Sequence, residues 1–247
     1  MKKSHNHTGK EISICVLCGD KLEHLEKAIT VHCDNCRQTA PATSRCLSGH
    51  LICDDCMNQP VNELVKTKCL NYSGNDPMQL AVDIMNSPLV QMHGAEHHFI
   101  LPAVMLTVTK SQNSRSNSLA ELLEIAENRA MSEICDDCNF AKNSCGAALG
   151  AGIFLEMLNN IDEQSEGQWA AMSSELTALC LNKIAKHGGP RCCKRDTYFA
   201  IEACVEFLND RYSISLPISK AKCTFSLRNI SCGREECTFY SLCNSLV

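Results

Sequence analysis

The chain has 247 residues, 19 of them cysteine, and a net charge of −5. This length accommodates one or two domains with a sizeable core. A net negative charge argues against the basic surface that attracts nucleic acid or an anionic membrane. The longest apolar run, residues 99–108, is far shorter than the roughly 18 residues of a membrane span. No apolar export segment follows the first residues, so we expect a cytoplasmic protein.

The density of cysteine predicts metal binding rather than disulfides. Disulfides form in oxidising compartments, and the sequence shows no export signal that would direct the chain to one. An odd number of cysteines would also leave at least one thiol unpaired. A Cys-x2-Cys pair places two thiolates at two corners of a metal tetrahedron from a single tight turn. The pairs are Cys15/Cys18, Cys33/Cys36, Cys53/Cys56 and Cys135/Cys138. Thiolate–metal bonds are therefore favoured over buried structural or redox thiols.

Residues 1–70 are predicted to form a metal-dependent module. This segment contains no Phe, Tyr or Trp, which contribute strongly to core burial, so its apolar core is thin and needs a metal to fold. The candidate ligands, in chain order, are Cys15, Cys18, Cys33, Cys36, Cys46, His50, Cys53 and Cys56. Eight such ligands fill two tetrahedral zinc sites, which we expect to be structural.

The spacing of these ligands resembles that of zinc-ribbon, treble-clef and RING-like modules, in which ligand pairs interleave. It favours one site with residues 15, 18, 46 and 50 and a second with residues 33, 36, 53 and 56. Sequential pairing is the alternative, although it crowds the last four ligands into eleven residues. His24 or His32 is an alternative ligand to His50. Because the segment is nearly neutral and has no aromatic anchor, its expected role is to support the fold or to dock a protein.

Residues 71–247 are predicted to form an α-helical domain, which begins after a loop at residues 71–77. Apolar residues recur at helical spacing, and Ser118 with Glu121 forms a capping box at the start of one helix. The predicted helices cover residues 78–86, 93–109, 119–131, 145–161, 168–186 and 193–212. After residue 217 the periodicity ends, and this irregular tail carries four cysteines. The predicted fold class is mainly α, with a small two-zinc module before the helical domain.

One candidate site in the helical domain is the pattern His93-x2-Glu96-His97. On a helix that includes His93, the two histidines would share a face with Glu96 beside them. Inverted zinc peptidases use this pattern, with two histidines on zinc and a glutamate that activates water. A zinc hydrolase is one interpretation, and a helix start with exposed histidines is the other.

A second candidate site is built from cysteines in glycine-rich or irregular segments. Cys145 is predicted at a helix amino terminus, where the dipole favours the thiolate, and the small residues behind it would admit a cofactor or another helix. Thiolates from scattered positions can ligate an iron–sulfur cluster, and we expect a [4Fe-4S] cluster here, with structural zinc as the alternative. The expected ligands are Cys145, Cys192, Cys193, Cys232 and Cys237. Lys194 and Arg195 would offset the negative charge of the thiolates.

These motifs together resemble an uncharacterised cysteine-rich domain family of anaerobic bacteria and methanogenic archaea, in some members fused to a methyltransferase-like domain. The resemblance rests on Gly49-His50 and Asp76-Pro77, and on Met-His-Gly-Ala-Glu-His-His at residues 92–98, Cys-Gly-Ala-Ala at 145–148 and Gly-Gly-Pro-Arg-Cys-Cys-Lys-Arg-Asp at 188–196. It also rests on the tail pattern Cys223-x-Phe225-x3-Asn229-x2-Cys232-x4-Cys237. It implies an anaerobic setting, which suits an oxygen-sensitive cluster, and no established activity.

The leading hypothesis is an iron–sulfur enzyme, or a sulfur- or electron-handling protein, whose cluster lies in the helical domain. In this hypothesis His93, Glu96 and His97 are acid–base groups or a ligand beside the cluster. The alternatives are a non-catalytic zinc protein that docks a partner and a zinc hydrolase. Neither a substrate nor a particular partner is implied.

Overall fold

A computed structural model describes residues 15, 20–34, 37–57, 60–87, 89–111, 117–134, 144–159, 168–226, 229 and 231–241. The chain forms two compact units. Unit 1 comprises residues 1–60 and 87–89, and unit 2 comprises residues 61–86 and 90–247. The sequence places the boundary at residue 70, whereas the contacts group residues 61–70 with unit 2, because they form a helix that packs against other helices.

The elements are β1 (Leu22–His32), β2 (Thr39–Cys46), α1 (Asp54–Met57), α2 (Val61–Leu70), α3 (Pro77–Met85), α4 (Glu96–Val108), α5 (Leu119–Glu133), α6 (Gly146–Leu158), α7 (Gln168–His187) and α8 (Cys193–Tyr212). A short 3₁₀ helix, Arg234–Glu236, follows in the tail. Of the helices in the described part of the chain, none combines the length and apolarity needed to cross a bilayer.

Unit 1 is organised around an antiparallel hairpin of β1 and β2. Leu22 pairs with Cys46 at the open end and His32 with Thr39 near the turn. The core of the unit consists mainly of thiols, joined by Ile52 and Met57. The cysteines in this core are Cys15, Cys33, Cys46, Cys53 and Cys56. Side chains this small bury little apolar surface, as the aromatic-free composition predicts.

Unit 2 is a helical assembly around α4. Every residue of α4 is buried, which agrees with its lack of a polar face. Helices α2, α3, α5, α6 and α8 all contact it. The approach of α6 is close, because a Cβ atom at Gly150 would lie 2.6 Å from the backbone oxygen of His98. A mainly helical second region was predicted correctly.

The helix starts follow their local signals. The Ser118 Oγ accepts the Glu121 N–H at 3.3 Å, and the Glu121 carboxylate accepts the Ser118 N–H at 2.7 Å, so the predicted capping box is confirmed. Helix α4, however, begins at Glu96 and not at His93. The Glu96 carboxylate accepts the Gln91 N–H at 2.7 Å, which folds the preceding residues into a turn.

Candidate metal centres

The first group of candidate ligands in unit 1 contains Cys15, Cys46 and His50. Their ligand atoms all lie within 4.8 Å of one another, and the Cys15 sulfur is 3.8 Å from His50 Nδ1. Cys46 ends β2, and Gly49 at φ +93° reverses the chain so that His50 returns to the same place. Cys18, the predicted fourth ligand, lies outside the described residues.

The second group in unit 1 contains Cys33, Cys53 and Cys56, all of them buried, and their sulfurs also lie within 4.8 Å of one another. Cys33 directly follows β1, while Cys53 and Cys56 bracket the start of α1. The Cys53 N–H points at the Cys33 sulfur at 3.4 Å. Cys36 falls outside the part of the chain that the structure describes.

The grouping of these six ligands is the one that interleaved pairing predicts, and it differs from sequential pairing. His24 and His32 belong to neither group and are exposed on β1, so His50 is the histidine placed with the thiols. Two tight groups of soft ligands could each hold a metal ion.

Unit 2 contains a different arrangement, a cavity into which four cysteines converge. Cys192, Cys223, Cys232 and Cys237 line it, and we call it the thiol cavity. Tyr198, Phe225 and Phe239 supply apolar walls, and the lining also includes Arg195 and Asn229. The enclosed space is about 20 Å³, room for about one water molecule.

Three segments of unit 2 bring the four thiols together. Cys192 is the N-cap of α8. Cys223 is held to the last part of the tail by a bridge to Tyr240, in which its N–H donates to the Phe239 oxygen at 2.7 Å. Cys237 closes the 3₁₀ helix, and its N–H donates to the Arg234 oxygen at 2.8 Å.

Backbone N–H groups point at the sulfurs of this cavity. The Phe225 N–H lies 3.4 Å from the Cys223 sulfur, and the Arg234 N–H lies 3.4 Å from the Cys232 sulfur. The backbone N–H of Arg195 likewise donates a hydrogen bond to the Cys192 sulfur. Such donors favour the thiolate form, and they recur around metal-bound thiolates, where they tune the properties of the metal.

Without a metal, the cavity keeps at least two of its thiols protonated. Burial raises the pKa of Cys192 to about 11, and burial likewise raises the pKa of Cys223. Repulsion from Cys237 and Cys232 also raises the pKa of Cys223. A metal cation would reverse this balance, because a coordinating thiol loses its proton.

The thiol cavity is wider than the two groups of unit 1. No three of its four sulfurs lie mutually within 4.8 Å. A tetrahedral zinc with sulfur ligands would need sulfurs ~3.8 Å apart, given a Zn–S bond of ~2.3 Å. The described positions of the four thiols therefore differ from those of a single tetrahedral ion.

A profile of the Family of unknown function (DUF5714) matches residues 65–240. The chain belongs to this family. The matched range includes the whole described lining of the thiol cavity, whereas the candidate ligands of unit 1 precede it. Searches of curated proteins and of solved structures find no match to the chain.

Two of the expected cluster ligands do not line the thiol cavity of the DUF5714 region. Cys145 is the N-cap of α6, as predicted, and it does not line the cavity. Cys193 does not line it either, because its sulfur points to His93 Nδ1 at 3.8 Å. The small residues after Cys145 admit α4 rather than a cofactor, since a Cβ atom at Gly146 would overlap the ring of His98.

The His-x2-Glu-His motif of the DUF5714 region does not form the face that a zinc peptidase requires. His93 precedes α4, so it does not share a helix face with His97. His97 Nδ1 is 3.1 Å from the Gly94 oxygen, and burial followed by the charge of Lys194 lowers the pKa of His97 to about 3. Burial raises the pKa of Glu96. Among the described residues, this motif does not belong to a group of three ligand atoms within 4.8 Å.

The two basic residues after Cys193 have separate surroundings. Lys194 is buried, and its Nζ donates to the Met85 oxygen at 2.8 Å and to the Val90 oxygen at 3.1 Å. The same Nζ lies 4.0 Å from the centre of the Phe225 ring. Arg195 lines the thiol cavity and pairs with Asp196 at 2.8 Å. Lys194 therefore binds the backbone, while only Arg195 reaches the cavity.

The sequence reasoning did not assign Cys223 to the site. The sequence places Cys223 in one tail pattern with Cys232 and Cys237, but the expected ligands do not include Cys223. The available signal was the count of tail cysteines, whereas the bridge between Cys223 and Tyr240 that positions it is a long-range contact. Tyr198 also lines the cavity, and the helical spacing that predicts α8 does not indicate this role.

Proposed function

We propose that this protein is an electron-handling iron–sulfur protein whose cluster is ligated by Cys192, Cys223, Cys232 and Cys237. The observation that carries the proposal is the convergence of these four thiols, from three segments, on one cavity. In unit 1, we propose two structural zinc ions, with Cys18 and Cys36 completing the ligand sets.

The spacing of the sulfurs supports a cluster over a single metal ion. In a cluster each thiolate binds its own iron, so the ligating sulfurs lie farther apart than around one zinc. The four sulfurs of the thiol cavity are more widely spaced than the two tight groups of unit 1. The difference within one chain favours zinc in unit 1 and a polynuclear centre in unit 2.

The surroundings of the cavity also support a cluster. Backbone N–H groups point at the Cys223 and Cys232 sulfurs, and such donors stabilise the negative charge of a thiolate-ligated cluster. Phe225 and Phe239, both buried, give the cavity apolar walls. A cluster is larger than the 20 Å³ now enclosed, so its binding would move the lining segments apart.

Four protein ligands suit electron transfer better than substrate binding, because each of four irons then has its coordination filled by a thiolate. The cluster would accept one electron from a reduced carrier and later give it to an oxidised one. No covalent bond forms or breaks in this exchange. The positive charge of Arg195 at the cavity would compensate part of the negative charge of the thiolates.

Anaerobic reconstitution with ferrous iron and sulfide tests this proposal. We expect bound iron, acid-labile sulfide and visible absorbance in the wild-type protein, and a large loss of all three in Cys223→Ala. The matched control is Cys180→Ala, because Cys180 is a buried thiol of α7 that donates to the Ala200 oxygen, away from the cavity lining. This variant should retain the cluster.

Two outcomes would overturn the proposal. One is zinc at about three equivalents without sulfide, which would favour the non-catalytic zinc protein. The other is equal iron and sulfide in the wild-type and Cys223→Ala proteins, which would place the cluster on other ligands.

A further inference from the structure

The hydroxyl group of Tyr198 is buried without a hydrogen-bond partner in the described part of the chain. Tyr198 is 1% exposed and lies on α8, less than two turns after Cys192, and it lines the thiol cavity. A buried hydroxyl without a partner is unfavourable, and folded proteins rarely leave one uncompensated. Its position therefore points to a bound group that accepts a hydrogen bond.

The surroundings of Tyr198 indicate where that acceptor lies. Tyr198 lines the same cavity as Cys192 and Cys223, so an acceptor bound between these thiols would lie next to the phenol. The ring meets Phe239 edge-on with its centre 5.2 Å away, which fixes its direction. Packing thus fixes the ring in the wall of the thiol cavity, while its hydroxyl makes no hydrogen bond with the described residues.

We propose that the Tyr198 hydroxyl donates a hydrogen bond to a sulfur of the cluster bound in the thiol cavity, either a cysteine thiolate or an inorganic sulfide. This inference rests on the proposed function and adds a hydrogen-bond donor beside the cluster. Reduction makes the cluster more negative, so a donor stabilises the reduced form and raises the reduction potential. Tyr198 is a tuning residue and not a ligand.

The test compares two tyrosines of the same helix in the full chain. Tyr198→Phe removes only the hydroxyl and keeps the ring against Phe239. The control is Tyr212→Phe, because the Tyr212 hydroxyl is already satisfied by Asn159 Nδ2 at 2.7 Å. Both proteins are reconstituted with ferrous iron and sulfide, and the midpoint potential is measured by titration with dithionite. We expect a lower potential in Tyr198→Phe and the wild-type potential in Tyr212→Phe.

A second measurement separates this role from simple packing. In the iron-free, zinc-loaded protein, Tyr198→Phe removes an unsatisfied hydroxyl, so the melting temperature should rise or stay the same. In the reconstituted protein, the same variant should lose its cluster to an iron chelator several-fold faster than the wild type. A purely structural tyrosine would shift both states in the same direction.

The outcomes distinguish this inference from the function on which it rests. Equal potentials and equal rates of cluster loss in the wild-type and Tyr198→Phe proteins would overturn the role of Tyr198. They would indicate that a trapped water accepts the hydrogen bond of its hydroxyl. Iron and sulfide absent from the wild-type, Tyr198→Phe and Tyr212→Phe proteins alike would overturn both proposals.

Discussion

Unit 1 and unit 2 bury different kinds of atoms. The core of unit 1 consists of five cysteines with Ile52 and Met57, whereas unit 2 surrounds the buried helix α4 with other helices. A hydrophobic core gains ~1.5–3 kcal/mol for each large apolar side chain that it buries. Unit 1 has few such side chains, so we expect metal–sulfur bonds to supply the stabilisation that apolar burial does not.

The two regions also hold their candidate ligands differently. In unit 1 the ligand atoms are close enough for a single ion, and they form part of the core itself. In unit 2 the thiols lie at the start of helix α8 and on the tail, while the buried helix α4 contains no candidate thiol. We therefore expect metal binding to decide whether unit 1 folds, and in unit 2 to affect the tail and leave the helices largely unchanged.

The largest expected effect is the loss of structure in unit 1 after zinc removal. When a strong chelator is added to the full chain, the amide hydrogens of β1 and β2 should exchange as in an unfolded peptide, because the two proposed zinc ions would supply the folding energy. The amides of α6 and α8 should keep their protection. Hydrogen exchange read by mass spectrometry measures both, and zinc added back should restore the hairpin.

A hairpin that remains protected when all zinc is gone would contradict this comparison. The control is the double variant Cys33→Ser, Cys53→Ser, which disables one group without a chelator. It should expose the same strands while the helices of unit 2 stay protected.

The second prediction concerns the buried charge in unit 2. Lys194→Met leaves the oxygens of Met85 and Val90 without their donor, so we expect a loss of about 2–4 kcal/mol in the free energy of unfolding. Denaturant unfolding followed by helical circular dichroism measures it. Lys183→Met removes a partly exposed lysine that pairs with Glu202 and Glu206, and should cost less than ~1 kcal/mol. Equal losses in the two variants would argue against a structural role for Lys194.

The third prediction is a pH dependence of unit 2 that arises from His97. Its folded-state pKa of about 3 lies below the ordinary 6.5, so between these values only the unfolded chain binds the proton. This contribution to stability is present above pH 6.5 and is lost as the pH falls, which amounts to about 2 kcal/mol at pH 5. His97→Asn keeps a donor towards the Gly94 oxygen and should lose this slope. The two proteins should show parallel stabilities above pH 7.5, and an unchanged slope below pH 6.5 would exclude His97 as its source.

The smallest expected effect tests the packing of α6 on α4. Gly150→Ala gains ~1 kcal/mol of helix propensity, but the new Cβ would meet the His98 oxygen at 2.6 Å. Overpacking costs ~1–3 kcal/mol, so we expect a net loss of about 1–2 kcal/mol. At Gly233 a Cβ would meet its nearest neighbour at 3.7 Å, and Gly233→Ala should be nearly neutral. A stabilised Gly150→Ala protein would mean that the two helices can separate without cost.

Local signals in the sequence predict the helices of unit 2 well. The capping box at Ser118 and the periodic apolar residues of α8 act within a few residues of one another, so they are readable without a structure. The start of α4 was misplaced, because the bond between Gln91 and Glu96 that folds the preceding turn is made by a side chain. Propensity alone does not show such a bond.

The candidate ligands also differ in how well the sequence alone predicts their grouping. Regular spacing of the pairs in residues 33–56 suffices to suggest how the ligands of unit 1 group. The thiol cavity depends on contacts between Cys192 on α8 and Cys223, Cys232 and Cys237 of the tail, which no periodic pattern encodes. For the same reason, Cys145 and Cys193 were grouped with the cavity on chemistry alone, although their side chains lie elsewhere.

The tail that carries three of the four cavity thiols has little regular structure. Its attachment includes the bridge between Cys223 and Tyr240 and the single turn at Arg234–Glu236. A metal centre that joined these thiols to Cys192 would act on the chain as a cross-link. It would close loops and so reduce the conformational freedom that the tail gains when it detaches from the helices. Limited proteolysis after residue 217 would then report cofactor loading: the tail should be cut readily in the iron-free protein and resist cleavage once the thiols are joined.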